Sequence, residues 1–95
     1  MTPQNLKEKL KNGDDIPLID VRGEDEFENG VKIPGSENIP MEKTVAEISE
    51  RNIPKDKKII LICRTGNRSG FVTAQLKELG YDAENLEGGV SAWAD

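Results

Sequence analysis

The sequence predicts an α/β fold, a mainly parallel sheet of four to five strands with helices on both faces. Two observations carry that prediction. Short strand-like runs at Ile16 to Val21, Glu37 to Ile39, Lys58 to Ile62 and Tyr81 to Leu86 alternate with segments of helical period, the order that builds a parallel sheet. Among them, Ile59-Ile60-Leu61-Ile62 is an unbroken aliphatic run bounded by charge, the pattern of a strand buried on both faces. The 95 residues allow one domain, spanning 1–95, with no repeat, low-complexity stretch or linker.

Each element has its own signal. Thr2 and Pro3 read as an N-cap and first helical position, Leu6 and Leu10 give one apolar face, and Asn12-Gly13 ends the helix. The strand Ile16 to Val21 follows, with Asp20 and Arg22 at its carboxyl end. Glu24, Asp25 and Glu26 form the acidic first turn of a short helix that Gly30 closes, and they read as a solvated turn. Ile33-Pro34-Gly35 is a turn, and Glu37-Asn38-Ile39 is a brief strand before Pro40. Met41 to Arg51 carries Val45 and Ile48 at helical spacing. After the Lys58 to Ile62 strand, a helix opens at Ser69 with Val72, Leu76 and Leu79 on one stripe and Gly80 as its cap. The strand Tyr81 to Leu86, the Gly88-Gly89 turn and a short helix from Val90 complete the chain, with Trp93 as a packing residue.

Composition excludes several function classes. The net charge is −5, from 18 acidic and 13 basic side chains, which argues against nucleic acid and anionic membrane surfaces as partners. One cysteine and no histidine leave no internal disulfide, no common zinc or copper ligand set, and no Cys–His dyad. The N-terminus has no apolar stretch of signal-peptide length and nothing approaches a membrane span, so the expected location is cytoplasmic.

The one cysteine is where the chemistry concentrates. An isolated cysteine after an apolar strand is ordinarily a small buried hydrophobe. Here Cys63-Arg64-Thr65-Gly66-Asn67-Arg68-Ser69 has instead the composition of an anion nest, with two arginines and a glycine within five positions of the sulfur. Cys63 stands at the carboxyl end of its strand, where open α/β sheets place their ligands. The chain then returns to a helix N-terminus, so backbone amides and the helix dipole are expected to depress the thiol pKa, assisted by Arg64 and Arg68.

Four motifs together give a family resemblance. Leu18-Ile19-Asp20-Val21-Arg22, Ile33-Pro34-Gly35-Ser36-Glu37-Asn38-Ile39-Pro40, the Cys63 loop, and Leu86-Glu87-Gly88-Gly89-Val90-Ser91-Ala92-Trp93 occur in the order of rhodanese domains. The chain resembles that family from about Leu6 to Trp93. The resemblance implies a rhodanese-like fold and a sulfurtransferase, similar to thiosulfate:cyanide sulfurtransferases, with Cys63 as the sulfur acceptor. It also implies that the amides of Arg64, Thr65, Gly66, Asn67, Arg68 and Ser69 cradle a persulfide and that Arg64, Arg68 and Arg22 bind the charged donor. Asp20 would anchor an arginine or a loop amide. The donor would be thiosulfate or a persulfide, the acceptor cyanide or a small-molecule or protein thiol, and no cofactor or metal would be needed.

The family's usual first strand is missing or reduced to Met1-Thr2, which makes Tyr81 to Leu86 an edge guarded by Asp82 and Glu84. Lys32 stands where the family often has histidine, within a turn one residue longer, and Thr65 stands where thiosulfate-specific members carry lysine. Two alternatives accompany the sulfurtransferase reading. One is a protein-interaction or sulfur-relay module without free thiosulfate activity. The other, a cysteine phosphatase or arsenate reductase, is disfavoured by spacing: C-x-x-x-x-R is one residue shorter than the phosphatase loop and suits one sulfur atom better than a tetrahedral oxyanion.

Overall fold

The computed structural model describes residues 1–94. Nine elements follow one another: α1 (Pro3–Lys11), β1 (Leu18–Asp20), α2 (Glu24–Asn29), β2 (Glu37–Asn38), α3 (Met41–Glu50), β3 (Ile59–Ile62), α4 (Asn67–Glu78), β4 (Ala83–Asn85) and α5 (Gly89–Trp93). The strands form one parallel sheet in the order β2-β1-β3-β4. The connection from β1 runs outward to β2, whereas the connection from β3 runs to β4 on the opposite side. The carboxyl ends of β1 and β3 therefore flank the point where the winding reverses, and a crevice opens there.

The period of the strand sorts the core into two layers. Ile59, Leu61 and Cys63 face one side of the sheet, packing with Ile48 of α3 and Val72 and Leu76 of α4. Ile60 and Ile62 face the other, with Leu6 of α1, Ile33 and Val90 of α5, and Trp93 packs against this layer. All four residues of β3 are inaccessible to solvent, which is why the run lacks the polar alternation of a half-exposed strand.

The elements differ from the sequence expectation mainly at their ends. α1 begins as predicted, with the Thr2 side chain accepting the Asn5 amide at 3.1 Å. β4 covers Ala83–Asn85 only, because Asp82 contributes just its carbonyl to the Ile59 amide, at 2.8 Å. α4 starts at Asn67, two residues before the expected Ser69, since Gly66 turns the chain with φ of 100°. It ends at Glu78, so Leu79 falls beyond the last turn and is exposed, while Val72 and Leu76 are fully buried.

β4 is an edge strand in this sheet. Met1 alone continues the ladder beside it: its nitrogen donates to the Asn85 carbonyl and its carbonyl accepts the Glu87 amide, each at 2.9 Å. Lys58 reaches across to Asp82 at 3.4 Å and Glu84 at 2.8 Å. Among the described residues, no helix is long and apolar enough to cross a membrane.

Candidate active site

Cys63 follows β3 directly and is buried, 1% exposed. The Gly66 amide donates to its Sγ at 3.0 Å, and the Ser69 hydroxyl lies 3.2 Å from the same atom. Burial alone would raise the thiol pKa. The Ser69 hydroxyl, then the amides of Ser69, Gly66 and Thr65, outweigh it, and the pKa ends below the ordinary thiol value. Glycine suits position 66 because its φ of 100° is left-handed, and that torsion turns the chain into α4 just after the amide that meets the sulfur.

The loop is held in this shape by the start of α5. The Val90 amide donates to the Cys63 carbonyl at 2.9 Å, and the Ser91 amide donates to the Arg64 carbonyl at 3.0 Å. In a trans peptide the carbonyl and the next amide point in opposite directions. Pulling the carbonyls of Cys63 and Arg64 toward α5 therefore turns the amides of Arg64 and Thr65 away from it, into the loop. Gly89 permits this approach: a Cβ there would lie 2.3 Å from the Cys63 carbonyl oxygen and 2.6 Å from that of Arg64.

The three arginines have different surroundings. Arg22 is buried and bidentate to Asp20, with Nε to Oδ1 at 3.0 Å and an Nη to Oδ2 at 2.8 Å, and that Nη also donates to the Val31 carbonyl at 2.9 Å. Arg68 lies on the first turn of α4 and forms a two-point pair with Glu26 at 2.7 and 2.9 Å. Arg64 is exposed and has no acidic partner among the described residues. It lines a cleft of about 370 Å³ between α2 and α5, together with Arg22, Glu26, Val31 and Ser91. Asn67 is exposed and Thr65 contributes its amide, so the side chains of both stay off the sulfur.

A cysteine after the central strand of a parallel sheet, ringed by amides, is the arrangement that the four sequence motifs imply. A family model described as Rhodanese-like domain matches residues 2–95. The chain belongs to the rhodanese-like domain family. A sulfurtransferase of Allochromatium vinosum is 37% identical over 92 residues, covering 96% of this chain and 83% of that protein. The adenylyltransferase and sulfurtransferase UBA4 of Meyerozyma guilliermondii is 32% identical over 91 residues, covering 88% of this chain but 21% of that longer protein. The crystal structure of a rhodanese-like domain protein from Staphylococcus aureus superposes with a TM-score of 0.88 at 34% identity, covering 100% of this chain and 90% of that one.

Two residues of this rhodanese-like domain lay outside the sequence reading. Glu26 looked like one more solvated carboxylate of an acidic first turn. Instead its hydrogen bonds from Arg68 hold its pKa down at about 2, against a smaller opposing effect of burial and with help from the Gly23 amide. Asn85, the last residue of β4, has its Oδ1 2.5 Å from the Ser69 hydroxyl and donates from Nδ2 to the Gly66 carbonyl at 2.9 Å. The parallel register sets Asn85 beside Leu61, two residues before the cysteine, a neighbourhood that no linear motif encodes.

Proposed function

We propose that this chain is a sulfurtransferase that carries a sulfane sulfur on Cys63. The observation that carries the reading is the convergence of the Gly66 amide and the Ser69 hydroxyl on one buried sulfur at 3.0 and 3.2 Å. Donors at that range stabilise the thiolate over the thiol. In the first half-reaction the Cys63 thiolate attacks the outer sulfur of the donor. The donor's S–S bond breaks, and its electron pair leaves with sulfite, from thiosulfate, or with a thiolate, from a persulfide. In the second, an acceptor thiolate or cyanide attacks the outer sulfur of the Cys63 persulfide and the cysteine thiolate departs. No net oxidation or reduction occurs at the protein.

Arg64 is the donor-binding cation in this scheme, because Arg22 is committed to Asp20 and Arg68 to Glu26. Asp20 then acts by holding Arg22. Thr65 in place of a lysine lowers the charge offered to a small dianion, which favours a persulfide as the physiological donor and thiosulfate as its surrogate. The pairing of Arg68 with Glu26 also argues against phosphatase or arsenate reductase chemistry, since the guanidinium that would clamp an oxyanion is occupied. The match to a segment of a longer adenylyltransferase and sulfurtransferase supports a protein partner in the sulfur relay.

Incubation with thiosulfate, then intact-mass measurement, tests the proposal. The expected product is the protein plus one sulfur atom, removed by a thiol and absent from Cys63→Ser. A mass gain that persists in Cys63→Ser would overturn it.

A further inference from the structure

The Ser69 hydroxyl carries one proton and faces two acceptors. The Cys63 sulfur lies 3.2 Å from its oxygen and Asn85 Oδ1 lies 2.5 Å from it. The Asn85 amide cannot turn its donor to Ser69 without losing its bond to the Gly66 carbonyl, so the oxygen is the atom presented. That carbonyl also accepts the Gly70 amide at 3.0 Å, and so does not depend on Asn85 for satisfaction. Seating the asparagine has its own requirement: a Cβ on Gly70 would stand 3.3 Å from Nδ2.

We propose that Asn85 is a positioning residue that sets the basicity of the Cys63 thiolate by competing for the Ser69 proton. With the thiol protonated, Ser69 donates to Asn85. When Cys63 ionises, the hydroxyl turns to the sulfur and Asn85 Oδ1 loses its donor, so part of the gain at the thiolate is offset. Once the persulfide forms, charge moves to the outer sulfur, Sγ becomes neutral, and the proton returns to Asn85. The hydroxyl thus follows the charge on Sγ through both half-reactions without any covalent step of its own. A more basic thiolate is the better nucleophile for taking sulfur and the poorer leaving group for giving it up, so the asparagine balances the two halves. This inference rests on the sulfurtransferase reading for its catalytic meaning, but not for its test.

The charged groups around the sulfur are the Asp20–Arg22 pair beyond β1, Glu26 on α2, Arg64 in the loop and Arg68 on α4, and none is altered by the variants that follow. Asn85→Leu keeps the shape and removes the acceptor. Thiolate absorbance against pH on the resting protein should show the midpoint moving down, with the thiolate fraction below the midpoint roughly two- to tenfold larger, the range for one competing hydrogen bond. In the Ser69→Ala background the same substitution should have no effect. Asn85→Asp, which keeps the acceptor and strengthens it, should move the midpoint up, and by less when Ser69 is Ala.

A midpoint that rises in Asn85→Leu, or that shifts equally with and without the Ser69 hydroxyl, would overturn the proposal and leave Asn85 as a brace for the loop. Should Asn85→Leu fail to fold, an Asn85→Asp shift that is the same in both backgrounds overturns it as well. Single-turnover measurement completes the test: Asn85→Leu should slow sulfur uptake from thiosulfate above the midpoint and speed release to a thiol. If neither thiosulfate nor a small-molecule persulfide loads the parent or any variant, the function is wrong; the titration still decides the role of Asn85.

Discussion

Gly89→Ala should separate the shape of the loop from its composition, because it changes no group that touches the sulfur. The new Cβ would lie 2.3 Å from the Cys63 carbonyl oxygen, against an ordinary contact of 3.4 Å or more, so α5 must withdraw by about 1 Å. The hydrogen bonds from Val90 and Ser91, at 2.9 and 3.0 Å, would then stretch to roughly 4 Å, beyond any useful bond. Released carbonyls let the Arg64 and Thr65 amides rotate out of the loop. Loss of one such oriented donor elsewhere costs about 10²-fold or more in turnover, and that is the expected loss in sulfur transfer. The thiol pKa should rise as well.

Stability falls for two reasons, the left-handed φ of 59° at roughly 1–2 kcal/mol and the overpacking at roughly 1–3 kcal/mol. Gly35→Ala supplies the control, since its φ of 85° is equally left-handed but its Cβ would meet nothing within 4 Å. It should lose stability alone and keep both the thiol titration and turnover. The assays are thiolate absorbance against pH, thermal melting and transfer from thiosulfate. A folded Gly89→Ala protein with unchanged thiol titration would refute the claim that α5 orients the loop amides.

Ser69→Ala should raise the Cys63 pKa, seen as slower alkylation by a small reagent at neutral pH, since the hydroxyl is the largest of the donors that stabilise the thiolate. An unchanged rate would place the activation in the amides alone. Arg64→Gln should raise KM for thiosulfate several-fold with kcat little altered if, as proposed, the side chain meets the donor's charge and not the reacting sulfur; a fall in kcat alone would contradict this. Glu26→Gln frees Arg68 and should strengthen phosphate as a competitive inhibitor, which inhibition constants would show. The pH dependence of the Glu26–Arg68 pair has a definite sign: a carboxylate held at about 2 stabilises the fold above its ordinary value near 4.5 and loses that contribution as pH falls through about 2. Both side chains are more than a third exposed, so the contribution is at most about 1 kcal/mol. Denaturation midpoints of parent and Glu26→Gln should therefore differ at neutral pH and converge in acid.

The parts of the molecule that were legible in the sequence are those whose cause is local. The aliphatic run before Cys63 announces a central strand because burial on both faces removes the polar alternation, and Thr2-Pro3 announces a helix start because the cap and the missing donor act within one turn. The ends of β4 and α4 were not legible, since they depend on which neighbour offers a partner and on one glycine torsion. The candidate site divides the same way. Cys63, Gly66 and Ser69 are near in sequence and converge in space. Asp20 was expected to anchor an arginine and holds Arg22, two residues away, whereas the pairing of Arg68 with Glu26, 42 residues apart, is a matter of tertiary placement. Asn85 gave no signal, because only the pairing of β3 with β4 brings it near the sulfur.

The depth at which Cys63 lies governs what can meet it. At 1% exposure, two copies of the chain cannot bring their sulfurs to the bonding distance of about 2.05 Å without their loops interpenetrating, so the lone thiol is guarded from cross-linking under oxidising conditions. Bulky electrophiles are turned away by girth rather than by charge, and over-oxidation is confined to peroxides slim enough to enter. In the proposed cycle a sulfur atom bound to Cys63 would extend one bond length beyond Sγ, and that outer atom is what a visiting nucleophile would have to reach. If the proposed cycle holds, burial would conceal the empty cysteine more than the loaded one.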